Sequence, residues 1–255
     1  MMRIGITGST GFIGSHLASA LRRHGGSFVV LECPRAAFEE PVLMRDFAAQ
    51  CDQVVHLAAV SRHPDGAWLL AENVRLTEAL TAGLRAADFH GTVWLGSTTH
   101  EAKTLPYHES KRRSRALLEA WAARSGGRAV TLLMPNVFGP CGKPFFNSVV
   151  ATFAHLAARG RTPERIDDVE LKLISIGTLC RQFRELLSAP APETGAVRLA
   201  DEYSVRLPAV WNMLENFRAA ARRGATPAPR DGFERDLWET FAAVPPSADA
   251  PPERK

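Results

Sequence analysis

Thr7-Gly8-Ser9-Thr10-Gly11-Phe12-Ile13-Gly14 decides how the rest of the chain is read. It follows an apolar run at residues 3–7 and opens an amphipathic stretch at 13–24, so strand, glycine turn and helix come in immediate succession. At this spacing Gly8 permits the tight turn, Gly11 lets backbone approach a pyrophosphate, and Gly14 lets helix and strand pack closely. The helix N-terminus then offers unpaired N–H groups to phosphate. A dinucleotide-binding start is expected.

Outward from this motif, β-rich runs at 3–7, 28–32, 53–57, 92–96, 129–134 and 197–200 alternate with helical patterns at 13–24, 68–87 and 110–124. Gly25-Gly26, Pro64-Asp65-Gly66 and Ser125-Gly126-Gly127 punctuate them. The alternation predicts an α/β fold, a Rossmann-type doubly wound parallel sheet with helices on both faces. After Pro135 the pattern changes to a loop, Gly139-Pro140-Cys141-Gly142-Lys143-Pro144, then helices at 147–159, 208–222 and 233–243. We expect residues 1–134 and 169–200 to form the dinucleotide-binding core. Residues 135–168 and 201–244 are expected to form a small C-terminal substrate-binding lobe. The tail, 245–255, holds four prolines and reads as disordered.

Composition narrows the function. With 255 residues, 45% of them apolar, the chain can bury one sizeable core. The net charge of +4 comes from basic residues that are spread out, as in Arg22-Arg23, Lys111-Arg112-Arg113 and Arg222-Arg223. Nucleic acid is therefore not the expected partner. No apolar run of about 18 residues suggests a membrane span, and no signal-peptide pattern opens the sequence. Cys33, Cys51, Cys141 and Cys180 are scattered, which argues against a disulfide framework or a zinc site and for a reducing cytoplasm. His56, His100 and His108 lack acidic partners at ligand spacing, so no metal is expected. The five tryptophans, Trp68, Trp94, Trp121, Trp211 and Trp238, read as core or helix-face anchors.

Two cues about the cofactor conflict. Glu32 closes the second strand eighteen residues after Gly14, where a carboxylate bonds a ribose 2′-OH and favours NAD. Arg35, three residues on, could pair with the 2′-phosphate of NADP. The residues alone leave the choice open.

Tyr107 and Lys111 are four apart at the start of a helical pattern, which puts them on one face. Bringing a phenol with pKa near 10 down to 7 takes about three units, roughly 4 kcal/mol. A lysine ammonium, helped by a nicotinium ring, is the kind of neighbour that supplies it. Gly96-Ser97-Thr98-Thr99 ends the preceding strand and offers a hydroxyl donor at the carboxyl edge of the sheet, where ligands of doubly wound folds bind.

With these residues in place, the chain resembles the extended short-chain dehydrogenase/reductases that act on nucleotide sugars. The likeness rests on Thr7–Gly14, Asp52-Gln53-Val54-Val55-His56-Leu57-Ala58-Ala59, Asn73-Val74, the Tyr107/Lys111 pair and Pro135-Asn136-Val137-Phe138-Gly139-Pro140. Residues 133–139 and 143–153 are similar to the reductase domain of capsule-synthesis UDP-N-acetyl-6-deoxy-hexosulose reductases. The resemblance implies that Gly8, Gly11, Phe12, Ile13 and Gly14 hold the pyrophosphate, and that Leu57, Ala58, Ala59 and Pro135 line the nicotinamide side. Thr98 falls at the catalytic hydroxyl position, with Ser97 its rival. Tyr107 would be the general acid, and Lys111 would bind the nicotinamide ribose and depress the tyrosine pKa. Ser97, Thr99, Asn136, Lys143 and Asn147 would contact substrate. In this subgroup an arginine after the second strand suits NADPH, which tips the cofactor towards NADP through Arg35. A homodimer through the two long central helices is implied by the same likeness.

The chain also departs from the family it resembles. Gly177-Thr178 stands where members commonly carry Asp-Asp, leaving Thr178 to cap the following helix. The capsule enzymes continue into a cupin domain that epimerises the sugar, whereas ten residues follow Pro245 here, so reduction without epimerisation at C3 is expected. Two other functions fit less well: a nucleotide-sugar epimerase of the same superfamily, and a non-catalytic dinucleotide-binding protein. A 4,6-dehydratase would carry Asp-Glu after the threonine, where Thr99-His100 stand, with Glu101 one place late.

Overall fold

The computed structural model describes residues 1–245; the disorder expected for the tail concerns residues that, Pro245 apart, lie outside them. Two compact units emerge, Met1–Pro135 with Thr178–Ala200, and Asn136–Gly177 with the chain from Asp201 onward.

In the first unit, β1 (Met2–Thr7), β2 (Phe28–Glu32), β3 (Gln53–His56), β4 (Thr92–Thr98), β5 (Arg128–Met134) and β8 (Gly195–Arg198) form one sheet in the order β2-β1-β3-β4-β5-β8. Every pairing is parallel. The chain reverses its direction of travel between β1 and β3, the switch point at which doubly wound sheets bind ligands. Strands β3, β4 and β5 are buried along most of their length, as central parallel strands covered on both faces must be. Fully buried Trp94 gives its indole N–H to Gln53 Oε1 at 2.6 Å, so the largest core side chain leaves no unmet donor.

The helices of this unit are α1 (Phe12–Arg22), α2 (Pro41–Ala49), α3 (Gly66–Ala86), α4 (Pro106–Ser125) and α6 (Ile176–Ser188), the last straddling the boundary between units. Between β2 and β3 the chain forms a short 3-10 turn at Arg35–Phe38 and then α2, which put Phe38, Met44 and Phe47 into the core. Helix α6 starts two residues before Thr178, which therefore lies inside its first turn and accepts from Arg181 at 3.1 Å. Trp68, expected as an anchor, is 46% exposed and packs its ring against His63 at 4.3 Å.

The second unit has its own three-stranded sheet, β6 (Asn136–Phe138), β7 (Glu170–Ser175) and β9 (Tyr203–Arg206), in the order β6-β7-β9. β7 runs parallel to β6 and antiparallel to β9. This corrects the expectation that residues 169–177 belong to the dinucleotide core: β7 is the central strand of the second sheet. The core here unites Phe138 with Phe153 of α5 (Val149–Ala158), Trp211 and Phe217 of α7 (Leu207–Arg222), and Phe233 and Phe241 of α8 (Gly232–Ala242).

Candidate active site

The glycine loop is shaped by contacts that exclude side chains. Gly8 has φ +71, and a Cβ there would lie 2.7 Å from the Ala58 backbone nitrogen. At Gly14 a Cβ would meet the Gly8 carbonyl at 2.1 Å, so helix and loop touch backbone to backbone. The Gly11 N–H closes the turn on Gly8 O at 3.0 Å. Thr7 ties in the neighbouring strand end, its hydroxyl accepting from the N–H groups of Leu57 and Ala58, each at 3.2 Å.

The start of α1 differs from those of α2, α3, α4, α5, α7 and α8. Asp65, Ser148 and Asp231 cap α3, α5 and α8 with their side chains, and proline occupies the first turn of α2, α4 and α7. Helix α1 has neither device and no acidic residue in its first turn, so its leading N–H groups have no side-chain acceptor. A pyrophosphate fits this bare, glycine-lined end. Phe12 and Ile13, half-buried, stand in its first turn.

The β4–α4 segment carries the second constellation. Tyr107 is half-buried and Lys111 buried, one turn apart on α4. The Lys111 ammonium donates to Gly96 O at 2.9 Å and lies 5.6 Å from the centre of the Tyr107 ring. Burial lowers Lys111 to about 8, while the charge of Glu101 works against that fall. Burial pushes Tyr107 up to about 12. In this structure desolvation is what acts on the tyrosine, and the ammonium is directed to a carbonyl of β4. Tyr107 is thus held as a phenol, and its hydroxyl has no hydrogen-bond partner among the described residues.

The two candidate hydroxyls are placed differently. Ser97 is buried and donates to Glu101 Oε1 at 2.5 Å. Thr98 is half-buried and only accepts, from the His100 N–H at 3.2 Å, which leaves its proton unspent. Thr99 follows on β4's exit, bonded through its N–H to Met134 O, and buried Pro135 ends this unit.

The nucleotide cues also separate. Glu32 is paired with Arg22 and also bonded by Ser9, both of which hold its carboxyl below the usual range. Arg35 is exposed and makes no hydrogen bond or ion pair among the described residues, though Glu72 senses its charge. In the second unit, Asn136 opens β6 and Asn147 lies just before α5, both exposed. Lys143, also exposed, has its ammonium 4.8 Å from the centre of the Phe146 ring. Its loop contains two non-glycine residues with positive φ, Cys141 at 63° and Phe145 at 57°.

A buried polar network, missed from the sequence, fixes α4 against its neighbours. His56, fully inside and kept neutral with a pKa near 3, bonds Thr7 Oγ1 at 2.7 Å and Thr77 Oγ1 at 3.3 Å. Thr77 continues to Ser114 at 2.8 Å. Asn73 lies inside α3 and bonds Ser110 Oγ at 3.0 Å and Val60 O at 2.9 Å. The signal was there as polar residues at i, i+4 on both helices: Asn73 and Thr77, Ser110 and Ser114. Among the described residues no group of three His, Cys, Asp or Glu side chains could hold a metal ion, and no helix is long and apolar enough to cross a membrane.

A bare glycine-loop helix at the switch point of a parallel sheet, with a Tyr-x-x-x-Lys pair on a later helix, defines a dinucleotide-binding α/β protein of short-chain dehydrogenase/reductase type. Residues 4–184 match the NAD dependent epimerase/dehydratase family, and the chain belongs to it. It is 26% identical over 248 residues to a UDP-2-acetamido-2,6-beta-L-arabino-hexul-4-ose reductase of Pseudomonas aeruginosa, covering 96% of this chain and 65% of that protein. A GDP-6-deoxy-D-mannose reductase of the same species is 28% identical over 210 residues, which is 73% of this chain and 68% of the relative. Among solved structures, the capsular polysaccharide assembling protein CapF from Staphylococcus aureus superposes with a TM-score of 0.77 at 27% identity, covering 97% of this chain and 66% of its own. RMD from Pseudomonas aeruginosa, solved with NADPH, shares the fold at a TM-score of 0.81 and 23% identity, covering 96% and 99% of the two chains.

Proposed function

We propose that the chain is an NAD(P)H-dependent reductase of a 4-keto nucleotide sugar, a UDP-linked 6-deoxy-hexosulose. The observation that carries this reading is the partnerless, protonated Tyr107 one turn from a buried lysine. Ketone reduction needs an acid, and a phenol held near 12 stays loaded throughout the neutral range.

A bound dihydronicotinamide would supply the hydride. Gly8, Gly11, Phe12, Ile13 and Gly14 would hold its pyrophosphate, Leu57 to Ala59 and Pro135 its nicotinamide side, and Lys111 its ribose. Arg35 would take the 2′-phosphate, since Glu32 is already paired with Arg22. That favours NADP. Thr98 would orient the ketone oxygen with its unspent proton, and Tyr107 would protonate that oxygen as the carbon is reduced. Asn136, Lys143 and Asn147 would recognise the diphosphate and sugar. The match to the UDP-sugar reductase spans more of this chain than the match to the GDP-sugar reductase, which supports uridine. A homodimer through α3 and α4 belongs to the same reading.

Fluorescence titration with NADPH and NADH, followed by turnover of UDP- and GDP-linked 4-keto-6-deoxy sugars with product NMR, tests the proposal. Stoichiometric NADPH oxidation with a new hydroxyl at C4 is expected. Failure of either dinucleotide to bind, or equilibration of C4 epimers without net oxidation, would overturn it.

A further inference from the structure

The loop after β4 holds an acidic side chain that none of the roles above uses. Glu101 is largely buried, its side chain 13% exposed, and its two carboxylate oxygens face different partners. Oε1 accepts the Ser97 hydroxyl at 2.5 Å, and Oε2 faces Arg115 at 3.6 Å. Arg115 stands one turn beyond Lys111, which stands one turn beyond Tyr107: residues 107, 111 and 115 form a single stripe on α4. The Glu101 carbonyl is gripped by Arg112 of the same helix. Glu101 therefore joins the end of the catalytic strand to the catalytic stripe.

Lys111 has few other charged neighbours. β4 offers it the neutral Gly96 carbonyl, β3 offers His56, and α4 itself offers Tyr107 and Arg115. The side chains that α3 sends to α4, Asn73 and Thr77, are neutral. Among the described residues Glu101 alone acts on Lys111 as a compensating negative charge. A buried ammonium without such a partner gives up its proton readily.

We propose that Glu101 is a positioning residue: it is the counter-charge that keeps Lys111 an ammonium, and by occupying the Ser97 hydroxyl it leaves the reacting oxygen to Thr98. The catalytic part rests on the reductase reading; the pairing of charges does not. Two substitutions separate them. Glu101→Gln keeps a hydrogen-bond acceptor for Ser97 and removes the charge, so Lys111 should titrate about one unit lower. Arg115→Gln frees Glu101 of its competing partner, so Lys111 should titrate higher. The probe is the lysine 13Cε chemical shift of the labelled free protein, with the Lys111 signal identified from Lys111→Arg; the chain has five lysines in all. The alkaline limb of kcat/KM should move in the same directions, with little change in thermal midpoint for Arg115→Gln.

An unchanged Lys111 titration in Glu101→Gln overturns the proposal. So does a fall or no change in Arg115→Gln, which decides the matter should Glu101→Gln fail to fold. Opposite shifts of Lys111 without any turnover of a keto sugar would uphold the charge pairing and defeat the reductase reading instead.

Discussion

The chain has two tyrosines, and they sit in opposite circumstances. Tyr203, in the second unit, gives its hydroxyl to Asp236 at 2.9 Å and packs edge-on against Phe138 and Phe233. Its pKa is pushed far up by burial and by that carboxylate. Tyr107 is raised by burial alone, and its hydroxyl has no partner among the described residues. One phenol is committed to the fold and the other is kept available. The same division recurs elsewhere: Glu32 is taken by Arg22 while Arg35 is free, Ser97 is taken by Glu101 while Thr98 keeps its proton, and α3, α5 and α8 are capped while α1 is bare. Among the described residues, the second member of each pair is the one that no other side chain occupies, which is what a group that meets a ligand requires.

The comparison breaks most directly at Tyr107. Tyr107→Phe removes a hydroxyl that the fold does not use, so stability should be nearly unchanged and NADPH should still bind. Turnover should fall by about 10²–10⁴-fold, the contribution of a positioned acid. Steady-state kinetics beside a thermal melt reads both. A variant retaining most of its turnover would remove Tyr107 from the mechanism.

The pH profile tests whether the available tyrosine stays protonated. With Tyr107 near 12 and Lys111 near 8, kcat/KM should be level through neutrality and fall about tenfold per unit above roughly pH 8, as Lys111 loses its proton. Stability should show a separate acid limb. His56 is neutral in the fold to about 3 but titrates near 6.5 when unfolded. Between those values the unfolded chain binds the extra proton, so stability falls as pH drops through that window. Urea midpoints at pH 7 and pH 4 measure it, and equal midpoints would contradict a neutral, buried His56.

At the nucleotide end the contrast lies between Glu32 and Arg35. Arg35→Ala should weaken NADPH by about 10–150-fold, the equivalent of a charge-assisted contact of about 1.5–3 kcal/mol, and leave NADH nearly unaffected. Equal losses for both dinucleotides would make Arg35 irrelevant to the 2′-phosphate. A gain in NADH affinity in Arg22→Ala would then show that releasing Glu32 restores an NAD-type site.

How legible these features were in the sequence follows from the range of the interactions behind them. The parallel sheet was readable because its strands are apolar runs and its turns carry glycine, both local properties. The Tyr107/Lys111 pair was readable from spacing. The second sheet was not: β6 is three residues long, and β7 and β9 are four to six residues with only partial burial. Nor could spacing tell which of two adjacent hydroxyls is spent, because that depends on how Glu101 folds back from the following loop. Spacing likewise could not show that the Lys111 ammonium turns to Gly96 O while burial acts on Tyr107, since both depend on how α4 packs on β4.

The smallest expected effect belongs to the committed tyrosine, and it completes the comparison. Tyr203→Phe keeps the ring among Phe138 and Phe233 and deletes only the bond to Asp236. A single hydrogen bond of this kind contributes about 1 kcal/mol, because both groups regain water in the unfolded chain. Asp236 is 18% exposed and has Arg235 at 3.8 Å, so it is not left without a counter-charge. For a chain of this size that loss corresponds to about 2–4 °C in Tm. Turnover and NADPH affinity should match the parent. A lower melting temperature with intact kinetics in Tyr203→Phe, against intact melting with lost kinetics in Tyr107→Phe, is the pattern expected of one structural and one reactive phenol. A kinetic defect in Tyr203→Phe at unchanged stability would mean that its hydroxyl, too, serves the substrate.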